Sequence, residues 1–318
     1  MFFHKALVLA TVLLLALANV AIAEDPPHYL TQWGSYGSGP GQFVTPFGVA
    51  IDAAGHVFMT DRDNYRIQKF DASGNFLLSW GSPGAGNGQF INADNVAVDG
   101  QGNVYVSDWE NMRIQKFDND GTYITQWGSY GNSPGQFNRP YGMAIDGGFL
   151  YIADLRNQRV QKFTTGGVYV LDWSVSPGQP VSVAVNGAGI VYVVDNLNYQ
   201  VLKYTPTGTL LGQWGATGSG PGQFVDPYGI AVDSAQNVYV TDRNNHRVQK
   251  FTPNGDFILE WGSLGAGDGQ FEFPAGVTIG SNGNIYVIDA HNYRVQVFGQ
   301  LAIAVEPTSW TNVKTLYR

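Results

Sequence analysis

Short apolar runs alternate with turn-forming clusters along most of the chain. In one well-formed stretch the runs are Phe47–Ile51, Val57–Thr60, Arg66–Phe70 and Phe76–Trp80, separated by DAAG (52–55), DRDN (61–64) and DASG (71–74). Short runs bounded by Gly, Asp and Asn predict β-strands joined by tight turns. A helical apolar period occurs only in the last ten residues. There Trp310, Val313, Leu316 and Tyr317 have roughly helical spacing, and Ser309 is a candidate N-cap.

The pattern repeats. Tryptophan recurs at 33, 80, 127, 173, 214 and 261, at intervals of 47, 47, 46, 41 and 47. Aspartate recurs at 61, 108, 154, 195, 242 and 289, opening a D-x-x-N-x-R motif in every copy but the fourth, where DNLNYQ ends in Gln200. Four strands at a period near 47 predict an all-β fold, a six-bladed β-propeller of four-stranded antiparallel blades. The sixth repeat lacks an outer strand of its own, and YLTQWGSYG at 29–37 nearly matches YITQWGSYG at 123–131. The N-terminal strand Tyr29–Trp33 is therefore expected to complete blade six and close the ring, removing an open sheet edge.

The run WGSYGSGPGQF at 33–43 raises a different question, because glycine-rich loops can cradle phosphate. Four near-copies follow, at 80–90, 127–137, 214–224 and 261–271. Each precedes a strand, so no helix N-terminus is available to an anion, and the lysine and hydroxyl of a P-loop are missing. The run reads as an inter-blade connector, with Phe anchored by burial and Gln by hydrogen bonds to the loop backbone. Between Trp173 and Pro180 the connector shrinks to SVSPGQ, six residues shorter than the others. The short connector and Gln200 fall in the same blade and predict a notch in the rim there.

Composition narrows the function. The 318 residues include 41 glycines, 14% aromatics and 13% charged residues, with a net charge of −8. That charge argues against a nucleic-acid partner, which needs a clustered basic surface. There is no cysteine, and so no disulfide or thiolate metal site. Lys5, the apolar stretch Ala6–Ala18 and Ala21-Ile22-Ala23 fit a signal peptide, 1–23, cleaved near Ala23. The expectation is an exported (periplasmic or extracellular) monomer without membrane insertion after cleavage. The propeller would span 24–300 and a C-terminal tail 301–318.

PFGVAID, VFMTDRDNYRIQKF and GPGQF, repeated six times with consistent spacing, resemble the NHL repeat family, over essentially the whole mature chain except the tail. The resemblance implies a six-bladed propeller and an exported bacterial-type NHL repeat protein. It does not imply one function. Relatives include amidating lyases, RNA-binding and ubiquitin-ligase-linked proteins, and extracellular sensor domains. The lyases place zinc-binding histidines after the proline that opens the inner strand. Here those slots hold Phe47, Asp94, Tyr141, Val181, Tyr228 and Ala275, so that zinc chemistry is unsupported and no cofactor is expected.

The same slots should ring the mouth of the central channel, with aromatics in blades one, three and five. The residue after the motif aspartate also varies: Arg62, Trp109, Leu155, Asn196, Arg243 and Ala290. Variation on a repeated scaffold is where a binding site would be written. Phe47, Arg62, Asp94, Trp109, Tyr141, Tyr228 and Arg243 are thus the candidate ligand-binding face, for a protein, peptide or carbohydrate that uses stacking and forked hydrogen bonds. The aromatics could equally be ordinary channel filling. D-x-x-N-x-R, copied into nearly every blade, reads as structural. His246 and His291, with Asp242, are the weak metal candidates for an alternative metal-dependent lyase or hydrolase. A second alternative is an RNA-binding or ubiquitin-ligase-associated module, though the chain has no RING-type Cys/His cluster.

Overall fold

The computed structural model describes residues 24–299; the signal-peptide and tail assignments lie outside them. Six four-stranded antiparallel sheets form the blades of a propeller. Blade one comprises Pro46–Ile51, Val57–Asp61, Arg66–Phe70 and Phe76–Trp80, from the axis outward. Blades two to five repeat this order over 93–127, 140–174, 180–214 and 227–261. In blade six, Pro274–Ile279, Ile285–Asp289 and Arg294–Gly299 are joined by His28–Trp33, which pairs antiparallel with Arg294–Gly299.

Position in the blade explains the sequence pattern. Second strands such as VFMTD and VYVTD are buried at every residue, because neighbouring blades cover both faces of the sheet. Outer strands such as FLLSW alternate between half-buried and exposed residues. Their tryptophans clamp adjacent blades: the Trp80 ring lies where a Cβ on Gly121 would be, 2.6 Å away, and Gly121 has φ +82°. Glycine at that turn therefore serves both the left-handed backbone and the tryptophan.

The D-x-x-N-x-R motif is an internal clamp in the five blades that carry the arginine. In blade two, Asp108 is fully buried and its Oδ2 accepts from Asn111 Nδ2 at 2.7 Å and Arg113 Nε at 2.9 Å. The rest of the Arg113 guanidinium donates to the carbonyls of Ala85, Gly86 and Gln89 in the glycine-rich connector. Gln115 Nε2 donates to the Gln89 carbonyl at 2.7 Å, and its Oε1 accepts from Gly88 N at 2.9 Å. Arg66, Arg159, Arg247 and Arg294 hold their connectors in the same way. The connector glutamine also bonds its own loop, as Gln42 Oε1 does with Gly39 N at 3.0 Å. The connector phenylalanines Phe43, Phe90, Phe137, Phe224 and Phe271 are completely buried. The glycine-rich run is thus a strapped structural loop.

Candidate functional site

The connectors and the motif turns share one face of the ring, since each inner strand starts opposite the end of the second strand, as Pro46 pairs with Asp61. The inner strands approach one another closely there. A Cβ on Gly48 would lie 2.8 Å from the Asn95 Cα, and one on Gly229 would lie 2.4 Å from the Ala275 carbonyl oxygen. This narrow spacing brings the slot residues of alternate blades into contact. Phe47 meets Tyr228 edge-to-face at 4.9 Å between ring centroids and Tyr141 at 6.5 Å, and Tyr141 lies 5.8 Å from Tyr228. All three are buried. They form an aromatic plug across one end of the channel. Beneath it a cavity of about 210 Å³ runs along the inner strands to Ile51, Val98, Val185, Val232 and Ile279.

Two guanidinium groups cover the plug. That of Arg62 sits 4.8 Å from the Phe47 centroid; that of Arg243 sits 4.9 Å from Tyr228 and 5.6 Å from Phe47. Cations over ring faces are held by the ring quadrupole. Arg243 also pairs with Asp226 at 3.3 Å. Trp109 extends the aromatic surface, 5.4 Å from Tyr141, with the Arg139 guanidinium 4.5 Å from its ring. The seven candidate residues therefore form one continuous cluster, and Arg139, overlooked in the sequence reading, belongs to it. Its signal was available: it immediately precedes the proline of the Tyr141 slot, in line with Thr45, Asn92 and Asp226.

Asp94 is the unusual member. It is 1% exposed, and its carboxylate interacts with Arg62 and Tyr141 without a well-formed hydrogen bond to either oxygen. Its nearest charge is Arg62 Nη1, at 3.5 Å. Burial pushes its pKa up to about 7, outweighing the opposing pull of Arg62. Burial likewise raises the pKa values of Tyr141 and Tyr228. The Tyr228 hydroxyl interacts with that of Tyr141, Arg62 Nε lies 3.5 Å from Asp63 Oδ1, and Arg243 Nε makes no hydrogen bond. Beneath the surface arginines these buried polar groups are weakly satisfied between aromatic walls, an arrangement that suits recognition of a group offering both donors and acceptors.

The weak metal candidates lie elsewhere on this face. The His246 and His291 rings flank Phe273, at 5.0 and 4.5 Å. His246 Nδ1 accepts from Phe273 N at 3.2 Å, and His291 faces Glu272 at 4.0 Å. Asp242 cannot join them, because its oxygens are held by Val225 N, Asn245 and Arg247. Among the described residues no group of three or more acids and histidines is gathered to hold a metal.

The NHL repeat profile matches four segments, 92–117, 137–163, 224–251 and 271–298, which coincide with the three inner strands of blades two, three, five and six. This chain belongs to the NHL repeat family. Among curated proteins, the NHL chain is 46% identical over 44 residues to protein lin-41 of Caenorhabditis elegans, a stretch that is 14% of this chain and 4% of that protein. It spans only a few per cent of the length of such relatives. A Bacteroides thetaiotaomicron protein of unknown function superposes on it with a TM-score of 0.67 at 18% identity, covering 85% of this chain and 76% of the other. Streptogramin B lyase superposes with a TM-score of 0.62 at 16% identity, covering 85% and 97%. At such identities these structures share the fold alone. An NHL propeller is a scaffold for interaction, and its specificity lies in residues placed on that scaffold.

Proposed function

We infer that the protein is an exported recognition module that binds a protein, peptide or carbohydrate at the channel mouth on the connector face. The convergence of Arg62, Arg243 and Trp109 on the Phe47–Tyr141–Tyr228 plug, with the buried Asp94 beside Arg62, carries this reading. These side chains stand at the positions that differ from blade to blade, whereas the repeated positions are consumed in holding the blades together. Because the aromatics are buried, the arginines and Trp109 make first contact with a ligand. Export rests on the Lys5–Ala23 pattern and is tested by N-terminal sequencing of protein recovered outside the cytoplasm.

The binding test is a glycan and peptide array probed with the mature chain, followed by titration of any hit against Arg62→Ala, Arg243→Ala and Trp109→Ala. Each substitution should weaken binding by roughly tenfold or more, as expected of anchoring aromatic and arginine residues. Unchanged affinity in all three variants would place the site elsewhere.

A further inference from the structure

Blade four lacks the connector that covers the same place in the other blades. Elsewhere a connector phenylalanine packs on the last aromatic of the third strand, with ring centroids 5.9 Å apart for Phe43–Phe70 and Phe90–Phe117 and 5.7 Å for Phe137–Phe163, Phe224–Phe251 and Phe271–Phe298. In blade four the third strand, Gln200–Tyr204, keeps the aromatic as Tyr204, but SVSPGQ supplies no phenylalanine to meet it. The clamp residues have changed with it: Gln200 replaces the arginine, and Leu202 replaces the glutamine that holds connector backbone. Ser174 stands where the other connectors need a left-handed glycine beside the phenylalanine ring, such as Gly34 at φ +115°. Among the described residues no neighbouring loop fills the space. It is a concavity of about 440 Å³, floored by Leu202 and Tyr204 and rimmed by Pro177, Asn198, Leu210 and Gln213. That volume lies within the range of ligand sites, roughly 300–1,000 Å³.

We propose that this notch is a docking groove for a short glycine-rich, turn-forming segment of a partner protein, which inserts one aromatic side chain against Tyr204 and Leu202. The five complete blades are the template: each shows a glycine-rich looped segment on this surface, closed by its own backbone hydrogen bonds, with one aromatic ring driven into the blade. The charge balance specifies what flanks the aromatic. Asp195 is 1% exposed and accepts from Gln179 N at 2.8 Å, Asn198 Nδ2 at 2.6 Å and Gln200 Nε2 at 2.9 Å, but the arginine that neutralises its counterparts is gone. The groove carries a carboxylate and no cation among its lining residues. A basic residue beside the aromatic is therefore favoured over an acidic one.

The test is fluorescence anisotropy of the mature chain with two dye-labelled peptides, KGPGQFVK and its Phe→Ala form. The phenylalanine peptide should bind, and the alanine form should bind roughly tenfold to a hundredfold more weakly, the equivalent of burying one large apolar side chain. Grafting the blade-five connector, 215–226, in place of 174–179, with Gln200→Arg and Leu202→Gln, should abolish binding. Gln213→Trp, which crowds the groove from an exposed rim position, should do the same with the core untouched. Arg62→Ala should leave peptide affinity unchanged, separating this groove from the channel mouth. The proposal is overturned if the wild type takes neither peptide, takes both equally, or if both groove-filling variants bind like wild type. It is also overturned if binding emerges only after Trp310→Ala and Tyr317→Ala, because the chain's own tail is then the occupant.

Discussion

Asp94→Asn separates two forces that oppose each other at the channel mouth. Burial favours the protonated acid, whereas Arg62 at 3.5 Å favours the carboxylate. Each effect is several kcal/mol, so the sign of the result is informative. The folded pKa of about 7 lies above the unfolded value of 3.8. Between those values the unfolded chain has lost its proton and the folded chain retains it, so stability falls as pH rises through this window. About three units at about 1.36 kcal/mol each amount to on the order of 4 kcal/mol. Asparagine cannot ionise. The stability difference, variant minus wild type, should therefore climb between about pH 4 and 7, by up to this amount, and level off above pH 8. Guanidinium denaturation of both proteins at unit pH steps measures it. Subtraction removes the contributions of Asp108, Asp154 and Asp242, whose pKa values burial also raises. A flat difference, or one that falls with pH, would show that Arg62 wins and that Asp94 is held as a carboxylate.

Arg113→Ala should destabilise by about 3–5 kcal/mol, because Asp108 is left buried without its cation and three connector carbonyls lose donors. Arg113→Gln should cost measurably less in the same denaturation assay, since Gln200 shows that an amide on this strand reaches the motif carboxylate. Gly121→Ala should lower the melting temperature by several degrees, through its left-handed φ and the Trp80 ring 2.6 Å from the new methyl. Gly212→Ala, with open space around it, should leave the melting temperature within about a degree of wild type.

Much of this fold was legible because one error-tolerant signal is repeated six times. The tryptophan and aspartate intervals set the blade count, and the strand bounds read from blade one agree with the structure to within a residue. The structural role of D-x-x-N-x-R and the opening at blade four were readable for the same reason, since both compare one copy with its siblings. The aromatic plug was not readable. A slot residue is visible in sequence, but whether Phe47 and Tyr228 meet across the axis depends on the channel width, which the ring and the glycine contacts between inner strands determine. The burial of Asp94 has the same origin: nothing in its local sequence distinguishes it from a solvated turn aspartate.

The plug has a consequence for how this mouth can vary. Large rings occupy the slots of blades one, three and five, and Asp94, Val181 and Ala275 occupy the others, all of them buried. Six positions around a narrow axis thus obey a parity: bulk in one slot excludes bulk in the next. Enlarging Val181 or Ala275 would meet occupied space, and shrinking one aromatic would leave its two partners unsupported. Variation here is therefore expected to come in compensated pairs, so that a related propeller could invert the alternation as a whole more readily than change a single position.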